Sequence, residues 1–160
     1  MSPKQRPPRA AGSYGMASVL RHPSLVFKRP PRAASEADLT AVRAGEVRRV
    51  ACWLAGSYPP FPPRFRQGWL DLSKDDAQWR PLLSLRRPVQ HLTGPIESVR
   101  THPANVRDPG LPKGAPDRAI CVVVSCQTPS GSIDLVVPES DGPLVVGYFS
   151  PADQPASPTE

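Results

Sequence analysis

The chain has little of what usually announces a function. It carries three cysteines, Cys52, Cys121 and Cys126, too few for the disulfide scaffold of a small secreted domain. Apolar runs such as Ile120–Val124 and Leu144–Val146 fall far short of the ~20 residues that cross a membrane as a helix. Residues 1–34 hold no hydrophobic stretch that would serve as a signal-peptide core. The expectation is a cytoplasmic protein with reduced thiols and no transmembrane segment. Zinc sites show close ligand pairs such as C-x₂-C, and none is present. The histidines His22, His91 and His102 are scattered, and Cys121 and Cys126, placed on one strand, stand at odd spacing on opposite faces. The stretch Gly110-Leu-Pro-Lys113-Gly114 lacks the spacing of a phosphate-binding loop. No motif frames a nucleophile, so no catalytic residue, metal ligand or cofactor is assigned.

Charge of one sign is missing from each end. Residues 1–34 contain seven Lys or Arg and no acid, and residues 119–160 contain five acids and no base. Between them, thirteen bases face nine acids, so the formal charge of +6 divides into a basic head, a mildly basic middle and an acidic end. Such sorting separates solvated tails from a folding unit and marks where a polyanion would be touched.

What the chain has in excess is proline. Its 23 prolines cluster at 3–8, 23–31, 59–63, 103–116 and 151–158, and each fixes φ and removes a donor. The segments between clusters can pack, and about 100 residues suffice for one core. Residues 1–34 and 151–160 are expected to be disordered. The tail is drawn at 1–44, the folded domain at 45–150 and an acidic tail at 151–160. Met16 also allows residues 1–15 to be read as an upstream extension of the gene start.

Ser35-Glu36-Ala37-Asp38 reads as a helix start, a Ser cap with a carboxylate three residues on. Leu39 and Val42 follow on one face, and Gly45 limits the helix to one or two turns. Residues 46–54 suit a strand by their Val and Trp content, with a continuous helix from Ser35 to Ala55 as the rival. Ser57–Pro63 reads as a polyproline-type connector. Phe65–Leu72 and Ala77–Leu85 read as paired strands about a polar Ser73–Asp76 turn, with Pro81 at an edge or bulge. Pro95–Thr101 reads as a short strand and 103–118 as a long loop. Ala119–Gln127 and Ser132–Val137 read as a hairpin about Thr128–Gly131. Ser140–Phe149 fits either a helix with Pro143 in its first turn or a strand. The fold class is mainly β (β-rich α+β), a small antiparallel barrel or sandwich with at most one or two short helices.

The run Phe65-Arg-Gln-Gly-Trp69-Leu, a polar turn, Ala77-Gln-Trp79-Arg-Pro-Leu82, a late hairpin and a possible closing helix resembles bacterial pleckstrin-homology-like domains. More narrowly, it is similar to the uncharacterised members found in actinobacteria. The resemblance covers roughly residues 45–149. It implies a PH-like scaffold that binds a protein or a membrane surface, with no catalytic residues. Two departures stand out: many such proteins carry an N-terminal membrane helix, which residues 1–34 do not supply, and PH domains close with a longer helix than Ser140–Phe149 can form.

Three candidate surfaces remain. Trp53, Trp69 and Trp79 read first as core, since few other large side chains are available. With Arg64, Arg66, Arg80, Arg86 and Arg87 nearby they also fit base-stacking platforms. The carboxylates Asp75 and Asp76 read as turn formers rather than a catalytic pair. The head reads as inert disorder, as an electrostatic arm for an anionic membrane, or as a nonspecific phosphate binder. The candidate binding residues are Arg21, Lys28, Arg29, Arg32, Arg64 and Arg66. The expected function is a non-catalytic binding or scaffold module for a protein partner or an anionic membrane surface. A nucleic-acid-associated basic protein is the alternative, and an enzyme without a recognisable motif is the third reading.

Overall fold

The computed structural model describes residues 32–82, 88–92, 94–104 and 121–150. The described elements are α1 (Arg32–Arg43), β1 (Arg48–Gly56), β2 (Arg66–Leu72), β3 (Ala77–Pro81), β4 (Gln90–His91), β5 (Ser98–Pro103), β6 (Cys121–Thr128), β7 (Gly131–Pro138) and α2 (Gly142–Phe149). The strands form one antiparallel sheet in the order β4-β3-β2-β1-β7-β6-β5. The mainly-β reading with two short helices therefore holds. The sheet does not close into a barrel, because the two ends of that order, β4 and β5, are not paired with each other.

Alternation along the strands builds the core. On β1, Val50, Cys52 and Leu54 point inward and are fully buried. They meet Leu70, Leu72 and Trp79 from β2 and β3, and Val124, Cys126, Leu135 and Val137 from β6 and β7. A second, smaller cluster forms on the opposite face from Trp53, Cys121, Val123, Val136 and Ala104, with Phe65 against it. Cys121 and Cys126 thus stand on opposite faces of β6, as their odd spacing requires. The three tryptophans do not share a role. Trp79 is 1% exposed in the main core, Trp53 belongs to the second cluster, and Trp69 is half-buried.

Gly68 explains how so large a ring fits. A Cβ at that position would lie 2.5 Å from Trp79 Nε1 and would also strike the Arg80 carbonyl. The indole therefore lies against bare backbone on the neighbouring strand.

Both segments left open between helix and strand are settled by packing. Residues 48–56 form a strand because β2 pairs with them from Arg48↔Leu72 to Leu54↔Arg66 and β7 pairs with their second half. Residues 142–149 form a helix despite a Val-rich composition. Pro143 occupies its first turn, and a helical repeat sends Leu144, Val145 and Phe149 into the core.

α1 departs from expectation in three ways. It starts at Arg32 rather than Ser35, it runs 12 residues, and it belongs to the packed unit. Ser35 is not its cap: its buried hydroxyl donates to the Ser140 carbonyl at 3.1 Å, tying α1 to the start of α2. Val42, 1% exposed, is a core residue, so the folded unit begins well before residue 45. Gly45 does end the helix. At φ +102° it allows the Glu46 N–H to reach Ala41 O and its own N–H to reach Val42 O, the reciprocal pair of a Schellman cap.

The connector Ser57–Pro63 is compact rather than extended. Phe61 N–H returns to Tyr58 O at 3.1 Å, Gly56 N–H reaches Pro62 O at 2.8 Å, and the Phe61 ring is buried edge-on to Tyr58. β5 begins at Ser98, three residues later than expected, and β4 was not foreseen. The late-hairpin turn is tighter than drawn. Thr128 and Gly131 pair directly, leaving Pro129 and Ser130 at the tip. The loop expected at 103–118 does not start at 103, since Pro103 ends β5 and Ala104 N–H still bonds Cys121 O; residues 1–31, 105–120 and 151–160 lie outside the described residues.

Candidate functional site

The unpaired ends of the sheet leave a seam, and a cleft of about 540 Å³ opens at one end of it. Leu39, Val42 and Arg43 of α1 form one wall, and Gly147, Tyr148, Phe149 and Ser150 of α2 form another. The β2–β3 turn contributes Lys74, Asp75 and Asp76, and the β4–β5 connection contributes Leu92 and Gly94–Ile96. The volume falls within the range of ligand clefts. Its floor is apolar and its rim is charged. At Gly147 the two helices approach closely: a Cβ there would lie 2.7 Å from Leu39 Cδ2, and the Leu39 side chain would have to shift.

The electrostatics of the rim are asymmetric. Asp76 is engaged: Gln78 Nε2 donates to its Oδ2 at 2.7 Å, and His91 Nδ1 lies 2.9 Å from the same oxygen. Burial works against its charge. Nevertheless, the contacts with Gln78 and His91 hold this carboxyl below its ordinary range. Tyr148 is pushed up to about 12 by burial and by the charges of Asp76 and Asp75. Its phenol therefore stays protonated and remains a donor at the cleft mouth. The His91–Asp76 contact ties the two-residue β4 to the β2–β3 turn, and of the pair Asp76 lines the cleft.

A second polar group stands on the outer face of β1–β3. Arg49 clasps Asp71 with Nε–Oδ1 at 2.7 Å and Nη2–Oδ2 at 2.8 Å, and its guanidinium sits 5.9 Å from the Trp69 ring centre. Arg80, directly opposite Trp69, approaches Asp71 at 3.4 Å. The hydrogen bonding that Arg49 donates to the Asp71 carboxylate is the main reason its pKa is raised. Arg49 thus covers Trp69 and gives its own charge to Asp71. That leaves this ring poorly placed as a stacking platform for bases.

Thiol chemistry is unfavourable in the core. Burial, and after it Asp134, pushes Cys126 up to about 12, and burial drives Cys52 higher still. Both remain neutral thiols rather than nucleophiles. Among the described residues there is no group of three or more His, Cys, Asp or Glu able to hold a metal ion. No helix there is long and apolar enough to cross a membrane.

Of the residues expected to bind, the two with described side chains, Arg64 and Arg66, do not line the cleft. Arg64 and Arg66 are exposed at the start of β2. The cleft rim follows the other end of that strand, about 20 Å away at ~3.3 Å per residue. Arg21, Lys28 and Arg29 lie outside the described residues. Arg32 is the first residue of α1, and its side chain is likewise outside them. The rim residues Arg43, Lys74 and Tyr148 carried no sequence signal as a site. They converge only because two helices and two loops meet at the seam. A scan against protein-family models, a search of curated proteins and a search of solved structures each returned no match.

Proposed function

We propose that this chain is a non-catalytic binding module of PH-like type that engages a protein partner at the cleft beside the open seam. The observation that carries the reading is the cleft itself, with its apolar floor of Leu39, Val42, Leu92, Ile96 and Phe149 under a rim of Arg43, Lys74, Asp75 and Tyr148. An apolar floor supplies affinity and a charged rim supplies orientation and selectivity. A seven-stranded antiparallel sheet followed by a helix supports the PH-like part of the proposal. The nearby side chains offer hydrogen bonds and charge but no activated nucleophile, which supports binding over catalysis.

An anionic membrane surface is the second reading. It is favoured by the exposed pair Arg64 and Arg66, together with the seven bases of residues 1–34. One experiment separates the two. The ¹H–¹⁵N spectrum of the full chain is recorded against ten-residue peptides selected from a display library and against vesicles containing phosphatidylserine. Peptide-induced shifts at Leu92, Ile96 and Tyr148 that persist in 0.3 M salt support the cleft. Vesicle-induced loss of signal at Arg64 and Arg66, abolished by salt, supports the surface reading. No response to either probe refutes both.

A further inference from the structure

The β5 edge carries a second, more specific feature. Ala104 N–H donates to Cys121 O at 3.1 Å, extending the β5–β6 register that pairs Ser98 with Gln127 and Pro103 with Val122. In an antiparallel ladder, residues alternate between bonding the neighbour and turning their backbone groups away from it. Since Ala104 bonds β6, so do His102, Arg100 and Ser98. The N–H and C=O of Val99 and Thr101 therefore face outward, on the side where the sheet has no further strand among the described residues. Pro103 closes this run, because it has no N–H and its carbonyl lies 3.1 Å from His102 Nδ1. Residues 100–103 are exposed.

The side chains along this edge have a definite chemistry. Val99 lies opposite Cys126 and packs against the core, while Arg100 lies opposite Ser125 on the outer face. Asp134 is the acid of that cross-strand row, and it already accepts a hydrogen bond from Ser125 Oγ at 2.6 Å. Arg100 makes no ion pair with an acid among the described residues, and His102 is the next residue outward on the same face.

We infer that β5 takes up an extended acidic segment of a partner protein as an added strand. Four backbone hydrogen bonds, two each from Val99 and Thr101, would hold the segment. Acidic side chains at alternate positions would stand beside Arg100 and His102. Toward its Ser98 end the added strand approaches the cleft at Ile96. The inference rests on the reading of the domain as a protein-binding module and specifies the form of its partner. A second copy of this chain is a poorer occupant. The antiparallel register that uses both outward pairs of each copy sets Arg100 directly against Arg100 of the other, and like charges so placed repel.

The test uses the full chain and a display library of random ten-residue peptides, with the enriched peptides then synthesised. Enriched peptides should alternate acidic and apolar residues. In their presence, amide exchange at Val99 and Thr101 should slow by about tenfold or more. The variant Arg100→Glu, at an exposed position, should enrich basic peptides instead. Peptides that shift Leu92 and Ile96 but leave Val99 and Thr101 unprotected would overturn strand addition and leave the cleft reading standing. Enrichment of no sequence pattern would overturn both. Self-association on sedimentation, with the same two amides protected and no peptide present, would make the occupant a second copy and overturn the inference.

Discussion

Replacing Trp79 by Ala tests the core directly. The ring is 1% exposed, and a fully buried tryptophan removes roughly 200 Å² of mostly apolar surface from water. At about 25 cal/mol per Å² the transfer contribution alone is ~5 kcal/mol, and measured Trp→Ala costs in cores run about 3–5 kcal/mol. Partial collapse is limited here, because the wall facing the ring is Gly68, which has no side chain to move into the space. Trp69, half-buried under Arg49 at 5.9 Å, is the internal control. Losing a partly exposed ring and one cation–π contact should cost about 1–2 kcal/mol. Urea unfolding followed by far-ultraviolet circular dichroism reads both changes without relying on tryptophan fluorescence. With a slope of about 1–1.5 kcal/mol per M for a domain of this size, Trp79→Ala should lower the midpoint by at least about 2 M. Trp69→Ala should lower it by about 1 M. Equal effects of the two substitutions would refute the assignment of Trp79 to the core and Trp69 to the surface.

Other outcomes follow from single contacts. Asp71→Ala leaves the Arg49 guanidinium, largely buried, without its bidentate partner. It should cost about 1–3 kcal/mol by denaturant midpoint, and more than Arg80→Ala, whose side chain is half exposed. Gly45→Ala forces a Cβ into φ +102° and should cost about 1 kcal/mol in thermal unfolding. The Asp76 carboxyl is held low in the folded state, so its contribution is present above the ordinary carboxyl pKa of ~4 and is lost as pH falls through the lower folded value. The difference in melting temperature between the wild type and Asp76→Asn should therefore shrink at acid pH. Native Cys52 and Cys126 should resist alkylation at pH 8 and react only on unfolding, since burial keeps both thiols protonated.

Alternation placed β7, β-propensity placed β6, and bulky residues about a polar turn placed β2 and the start of β3, although β3 ends at Pro81 rather than Leu85. The same local information foresaw Gly45 as a helix stop, and the opposite faces of Cys121 and Cys126. It did not decide whether residues 48–56 and 142–149 were helix or strand. Each carries apolar residues at spacings that satisfy both repeats, and the choice falls to the partners: β2 and β7 on either side of β1, and the floor of the core beneath α2. Nor could it place the start of α1, whose Ser35 spends its hydroxyl on Ser140, 105 residues away. The cleft was the least legible feature. Arg43, Lys74, Pro95 and Tyr148 lie on four separate segments, and each by itself is an ordinary surface or turn residue. Only the open seam between β4 and β5, with two helices packed over one end, brings them together, because a site assembled from distant segments has no local pattern to betray it.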